Sequence, residues 1–193
     1  MLFRSTLRTG HHDDGHDDGH DSTGDGDPHI WVDPVAMTAV ARALGSVLED
    51  ELGLDLGDRT AEVADGLDTL DREIRARVDL LPPGRRKLVT GHESLGYFAD
   101  RYGFTVIAAV VPGTSSQAET SAAQLAALRD AVRAAGVGVI FTEVGTPPAV
   151  AATVARETGA RLVEVPTHTL PADNTYRSFV ATLAATVVDA LAA

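Results

Sequence analysis

From Lys87 onward, short runs of β-forming residues alternate with stretches of helical periodicity, and few architectures accept that pattern. The runs KLVT (87–90), FTVIAAVV (104–111), VGVIFT (137–142) and RLVEV (161–165) read as strands. Helices are predicted between and after them, over about 94–102, 122–135, 147–158 and 174–191. Ser121 and Gln124 have the spacing of a capping box, with Gly136 to end that helix. Pro147 and Pro148 open the next and Gly159 closes it. Strands that alternate with helices predict an α/β lobe built on a four-stranded, mainly parallel sheet with helices on its faces.

Ahead of this lobe the chain reads as helical. Asp33 is placed to cap a helix whose first residue is Pro34, with Val40, Leu44, Val47, Leu48 and Leu52 as an apolar stripe and Gly53 as its end. A second helix is predicted from Asp58 to Leu81, stopped by Pro82, Pro83 and Gly84. Its apolar face is Val63, Leu67, Leu70, Ile74, Val78 and Leu81. On the wetter side Asp68 with Arg72, Asp71 with Arg75, and Glu73 with Arg77 set acid before base at i, i+4. At ~1.5 Å per residue this helix is roughly 36 Å long, enough for a strut. The expected organisation is a His/Asp-rich segment over 1–27, a segment with the strut helix over 28–84, and the α/β lobe over 85–193.

Residues 11–27 (HHDDGHDDGHDSTGDGD) contain only His, Asp, Gly, Ser and Thr, a composition that buries too little apolar area to offset ordering entropy. The expectation is disorder without metal. Seven acids fall in this stretch, more than half of the formal net charge of −12. No basic stripe is available to follow a phosphate backbone and aromatic residues are few, so nucleic acid is disfavoured and a cation is the better partner. With no cysteine, any metal must take nitrogen and oxygen ligands. The opening MLFRSTLRTG lacks the apolar core of a signal peptide, and no apolar run reaches the roughly 20 residues of a membrane span.

In an open parallel sheet, ligands bind outside the carboxyl ends of the strands, where loops and helix N-termini converge. Here the first predicted strand runs into Thr90, Gly91 and His92, the third into Thr142 and Glu143, and the fourth through Pro166 and Thr167 to His168. Two histidines and a glutamate thus emerge on one rim, with His29 near enough in sequence to the first helix to join them. Of seven histidines, His11, His12, His16 and His20 lie in the low-complexity stretch. The other three are His29, His92 and His168.

DPHIWVDP (27–34), VTGHESLGYFADRYGF (89–104), IFTE (140–143) before a Pro-initiated helix, and VEVPTHTL (163–170) resemble the cluster A-I metal-binding proteins of zinc and manganese ABC importers. The likeness runs over about 11–193, with the His/Asp-rich loop and the strut helix in the family's order. It implies that His29 and His92 are metal ligands. Manganese-type members tend to carry glutamate where this chain has His92, so the resemblance implies zinc ahead of manganese, in keeping with zinc's preference for imidazole. At the last ligand position the family usually has aspartate; here either His168 substitutes, or the register shifts and leaves Asp173 or water. Glu143 reads as a residue orienting a histidine, as a further ligand, or as a helix N-terminal acid. His11, His12, His16 and His20 would be weak collectors of ions.

The resemblance further implies an extracytoplasmic receptor that serves an ABC importer permease. Family members also have an N-terminal lobe, and the expectation is that the sequence from Met1 corresponds to the part that follows it. The expectation that follows is a rim carrying His92 and His168 open to water, and uncovered apolar surface on the strut and the DPHIW segment. A zinc-dependent hydrolase is the alternative, since three histidines and an open position also describe catalytic zinc. Against it, Gly96 stands where a zincin motif needs its second histidine. An acidic adhesin or interaction module is the other alternative.

Overall fold

The structure, a computed structural model, describes residues 26–111, 121–144 and 148–193. The predicted strands and helices are all present, with ends moved by a few residues. The sheet comprises β1 (Lys87–Thr90), β2 (Thr105–Ala109), β3 (Val139–Glu143) and β4 (Arg161–Val165). The order is β2-β1-β3-β4 and every pairing is parallel. The helices are α1 (Pro34–Leu52), α2 (Gly57–Val78), α3 (Gly96–Tyr102), α4 (Ala122–Ala135), α5 (Ala149–Thr158) and α6 (Tyr176–Ala192).

Strand side chains alternate between faces, and that period of two divides the core into two layers. Leu88, Val139, Phe141 and Val165 pack with α2, α3 and α6 through Leu70, Ile74, Phe98 and Leu183. Val89 and Ile140 pack on the other face with α4 and α5 through Leu128, Val132 and Val154. Each large side chain removed from water in this way contributes about 1.5–3 kcal/mol. Local signals act as expected at several ends. Asp33 Oδ1 accepts from Val35 N at 2.8 Å to cap α1, and the Ser121–Gln124 capping box is reciprocal.

Three expectations need correction. The strut ends at Val78 rather than Leu81, because the Leu80 and Leu81 N–H groups return to carbonyls three residues back, those of Arg77 and Val78 at 3.2 and 2.9 Å, and the chain turns toward Pro82. The stripe on α1 is not a buried face: Leu44, Val47 and Leu52 are exposed, as is Val63 on α2. What α1 presents to α2 is Gly45, where a Cβ would lie 2.4 Å from Thr60 Oγ1. Small size, not apolarity, sets that helix contact. Of the uncovered apolar surface expected on the strut and DPHIW, most therefore lies on α1 and the turn after it, while Trp31 is half-buried.

The third correction concerns charge. The strut does not pair its acids and bases mainly along its own length. Asp71 is buried, not on the wet side, and Arg101 of α3 grips it with Nε and Nη2 at 2.8 and 2.7 Å. Arg75 is a more distant partner of Asp71 at 3.8 Å. Glu73 pairs instead with Arg177 and Arg77 with Asp189, both on α6. These pairs fasten the strut to two other helices.

Burial alone would raise the Asp71 carboxyl, but the Arg101 guanidinium, with Tyr102 and Arg75, outweighs it and holds the group below its ordinary value of 3.8. A depressed carboxyl stabilises the fold above its unfolded pKa, and that contribution is lost as pH falls through the folded one. Arg101→Ala should therefore cost about 1–3 kcal/mol at pH 7, since Arg101 is only partly buried and the pair is bidentate. Urea denaturation should show this gap shrinking toward pH 3. A gap independent of pH would mean that Arg101 acts through packing alone.

Candidate metal site

Three strand ends meet at one rim, on both sides of the point where the chain switches from building toward β2 to building toward β4. That crevice is the usual ligand position of an open parallel sheet. β1 delivers Gly91 and His92, β3 ends on Glu143, and β4 leads to Thr167 and His168. His29 arrives separately, just before the 3₁₀ turn Ile30–Val32. One side-chain nitrogen from each of His29, His92 and His168 lies within 4.8 Å of the other two. The sequence-predicted trio is thus brought together, across 139 positions of chain from His29 to His168.

His29 Nε2 and His92 Nε2 are 3.3 Å apart. Two nitrogens bound to one tetrahedral zinc at 2.0–2.1 Å each stand about 3.3 Å apart, so this pair already has the spacing of two ligands of one ion. The His92 and His168 rings are stacked, 5.6 Å between centroids at 16°. The expected openness of the rim is corrected here: His29 and His92 are 2% and 1% exposed, and only His168 faces solvent. Burial, then the neighbouring His92 and His29, lower the pKa of the His168 imidazole below the ordinary histidine value. That keeps it neutral, and so able to donate to a metal, to lower pH than a free imidazole.

Behind the three rings stand groups that fix their orientation. Asp27 Oδ1 accepts from the His29 backbone N–H at 2.9 Å and lies 2.6 Å from His29 Nδ1. Glu143 Oε1 lies 3.1 Å from His92 Nδ1 and accepts from Ser94 Oγ at 2.9 Å. Burial works to raise the Glu143 carboxyl, but its contacts with His92 and Ser94 hold it below the ordinary range. Of the sequence readings for Glu143, this position beside Nδ1 favours the orienting one. Thr167 Oγ1 is 2.8 Å from His168 Nδ1. Asp173, the other candidate for the last position, is exposed and engaged with Ser178 and Thr175.

Several contributors were not singled out from sequence. Trp31 donates its Nε1–H to the Thr167 carbonyl at 2.8 Å, and Tyr176 donates its hydroxyl to the Trp31 carbonyl at 2.9 Å. Together they tie the His29 segment to the His168 loop and to α6. Asp27 carried a signal of its own, since an Asp two residues before a backbone N–H is the pattern of an Asx turn. Trp31 carried only its rarity, as the single tryptophan of the chain. His11, His12, His16 and His20 lie outside the described residues.

A cluster of three imidazoles, two of them buried, on the ligand rim of a parallel α/β lobe is an arrangement able to hold a metal ion. The chain belongs to the family described as ZnuA, zinc-uptake complex component A periplasmic, which it matches over residues 3–190. That family is one of substrate-binding receptors and not of enzymes. The high-affinity zinc uptake system protein ZnuA of Paracoccus denitrificans is 32% identical over 132 residues, 66% of this chain and 39% of that protein. The zinc-binding protein TroA of Treponema pallidum is 32% identical over 125 residues, 63% of this chain and 40% of that one. The solved structure of the periplasmic zinc binding protein TroA from Treponema pallidum superposes with a TM-score of 0.70 at 24% identity, over 86% of this chain and 64% of that one. The chain thus spans about two fifths of the length of these sequence relatives. No described helix is long and apolar enough to cross a membrane.

Gly91 has a steric duty at this rim. A Cβ there would stand 2.3 Å from Glu143 Oε2, so only glycine leaves the carboxylate its place beside His92. Gly91→Ala should displace Glu143 and weaken divalent-ion binding by about 10–100-fold, the usual cost of losing a group that orients a ligand. Calorimetric titration would measure the loss, with circular dichroism to confirm an intact fold. Unchanged affinity would mean that the Glu143 carboxylate can be moved without consequence.

Proposed function

We propose that this chain is the zinc-binding portion of an extracytoplasmic receptor for an ABC metal importer, with His29, His92 and His168 as the ligands of the transported ion. The observation that carries the reading is the 3.3 Å approach of two buried imidazole nitrogens with a third within 4.8 Å. Zinc is the favoured cargo and manganese the lesser one, because three neutral nitrogens suit zinc while manganese prefers carboxylate oxygen. Water completes the coordination shell on the side of His168. The partner is the importer's permease, and the function is to bind and release an ion without chemical turnover.

The proposed division of labour within the chain keeps residues 28–84 and 85–193 for the tight site. His11, His12, His16 and His20 form a weak, multi-ion collector in the segment 1–27. Calorimetry with zinc and manganese side by side is the decisive measurement. The expected result is one tight zinc site, much weaker manganese binding, and loss of the site in His92→Ala. Deleting 11–26 should lower the total zinc bound while sparing the tight site. If His92→Ala keeps full high-affinity stoichiometry, the ligand assignment is wrong.

Protons compete with the ion for the same nitrogens. The folded His168 imidazole is shifted down, so its competition begins only below the ordinary histidine value of ~6.5. Zinc affinity should be nearly constant above pH 7 and fall as pH is lowered from roughly 6.5 to 5. Competition titrations at three pH values in that range would measure it. A flat profile would point to carboxylate ligands only.

A further inference from the structure

The two buried imidazoles differ from the exposed one in what stands behind them. His29 Nδ1 faces the Asp27 carboxylate at 2.6 Å and His92 Nδ1 faces the Glu143 carboxylate at 3.1 Å, while His168 Nδ1 has a neutral hydroxyl at 2.8 Å. Both carboxylates are buried, at 4% and 2% exposure. Among the described residues, the ion pairs of Asp27 and Glu143 are with these histidines and with no arginine or lysine. Glu143 Oε2 and His92 Nδ1 have no hydrogen-bond partner there, so the 3.1 Å approach of His92 to Glu143 is an ionic contact without hydrogen-bond geometry. A buried carboxylate without a cationic partner is costly. Two of them beside one cluster of imidazoles, and paired with no arginine or lysine, place negative charge next to the position a cation would occupy.

We propose that Asp27 and Glu143 are a matched pair of positioning residues that hold His29 and His92 with Nε2 toward the ion and fit the site to a dication by charge. This rests on the ligand assignment above and deepens it. A carboxylate facing Nδ1 favours the tautomer with Nδ1–H and a free Nε2 and raises basicity toward a metal, through a hydrogen bond at His29 and through charge at His92. The two carboxylates balance a doubly charged ion held by three neutral nitrogens. A singly charged ion with the same liking for imidazole gains half as much from them, because the Coulomb term scales with ion charge.

The test compares Zn(II) with Ag(I), a monovalent ion that also binds imidazole, on the whole chain and on Asp27→Asn and Glu143→Gln. Each substitution keeps an oxygen acceptor for the ring N–H and removes one charge. Zinc affinity should fall about 10–100-fold for each, with a silver loss of about three- to tenfold, the square root of the zinc loss. The rise in melting temperature on adding zinc should shrink in either variant. Asp27→Ser, which retains an oxygen in the turn, serves if Asp27→Asn does not fold.

Equal losses for the two ions, no loss of zinc affinity, or an undiminished rise in melting temperature on adding zinc would each overturn the pairing. A wild-type chain that binds no zinc would instead bring down the ligand assignment and this inference with it. The two failures are therefore distinguishable.

Discussion

The whole site hangs on the parallel pairing of β1, β3 and β4. Parallel strands bring their carboxyl ends to the same edge, and register then decides which residues leave the sheet together. Thr90 is level with Phe141, and Glu143 with Val165. Glu143 is therefore the last residue of its strand beside the point where β1 turns out through Gly91 to His92, and where β4 turns out through Pro166 to Thr167 and His168. A shift of one residue in β3 would point Glu143 to the opposite face. The core prevents it: Ile140 and Phe141 are fully buried in different layers, so neither can exchange places with the other.

The sheet alone supplies two of the three imidazoles. His29 comes from a segment with no strand of its own, and three kinds of contact seat it. The Asx turn at Asp27 folds the chain back on itself, the Trp31 and Tyr176 hydrogen bonds anchor it to the His168 loop and α6, and Asp33 lies 3.9 Å from Arg101. Arg101 also holds Asp71 of the strut. A ligand on an irregular segment is only as well placed as the contacts around it, and here those contacts run to the His168 loop, α6 and α3.

The α/β lobe was legible because its signals were local and agreed with one another. Caps at Asp33 and Ser121, stops at Gly53, Gly136 and Gly159, and the change from helical to strand patterning at Lys87 all acted where they were read. The three histidines were legible as well, two from their places after predicted strands and His29 through the family likeness. What could not be read was anything that depended on partners far along the chain. Asp71 looked like half of an i, i+4 pair because Arg75 is near in sequence, whereas Arg101, at a separation of 30 residues, has the better geometry. The α1 stripe looked like a core face because periodicity reports amphipathicity and not which partner is present. Gly91 gave no sign of its importance, since the atom that forbids a side chain there belongs to residue 143.

Burial and exposure are unequally shared among the three imidazoles, and the cause lies in the elements that carry them. His92 follows β1, an inner strand of the sheet, and the chain stays buried after it at Ser94, Leu95 and Phe98. His29 lies under Trp31, whose ring meets it edge-on at 5.2 Å. His168 follows β4, the edge strand, and continues into the exposed stretch from Thr169 to Thr175, which includes Asn174 in the left-handed region at φ 53°. Only one side of an edge strand is covered by the sheet, so the loop that leaves it has fewer neighbours to pack against. Thr167 is still held from inside by Trp31, and the very next side chain is free to reach water. One residue thus separates the buried end of the site from its wet end.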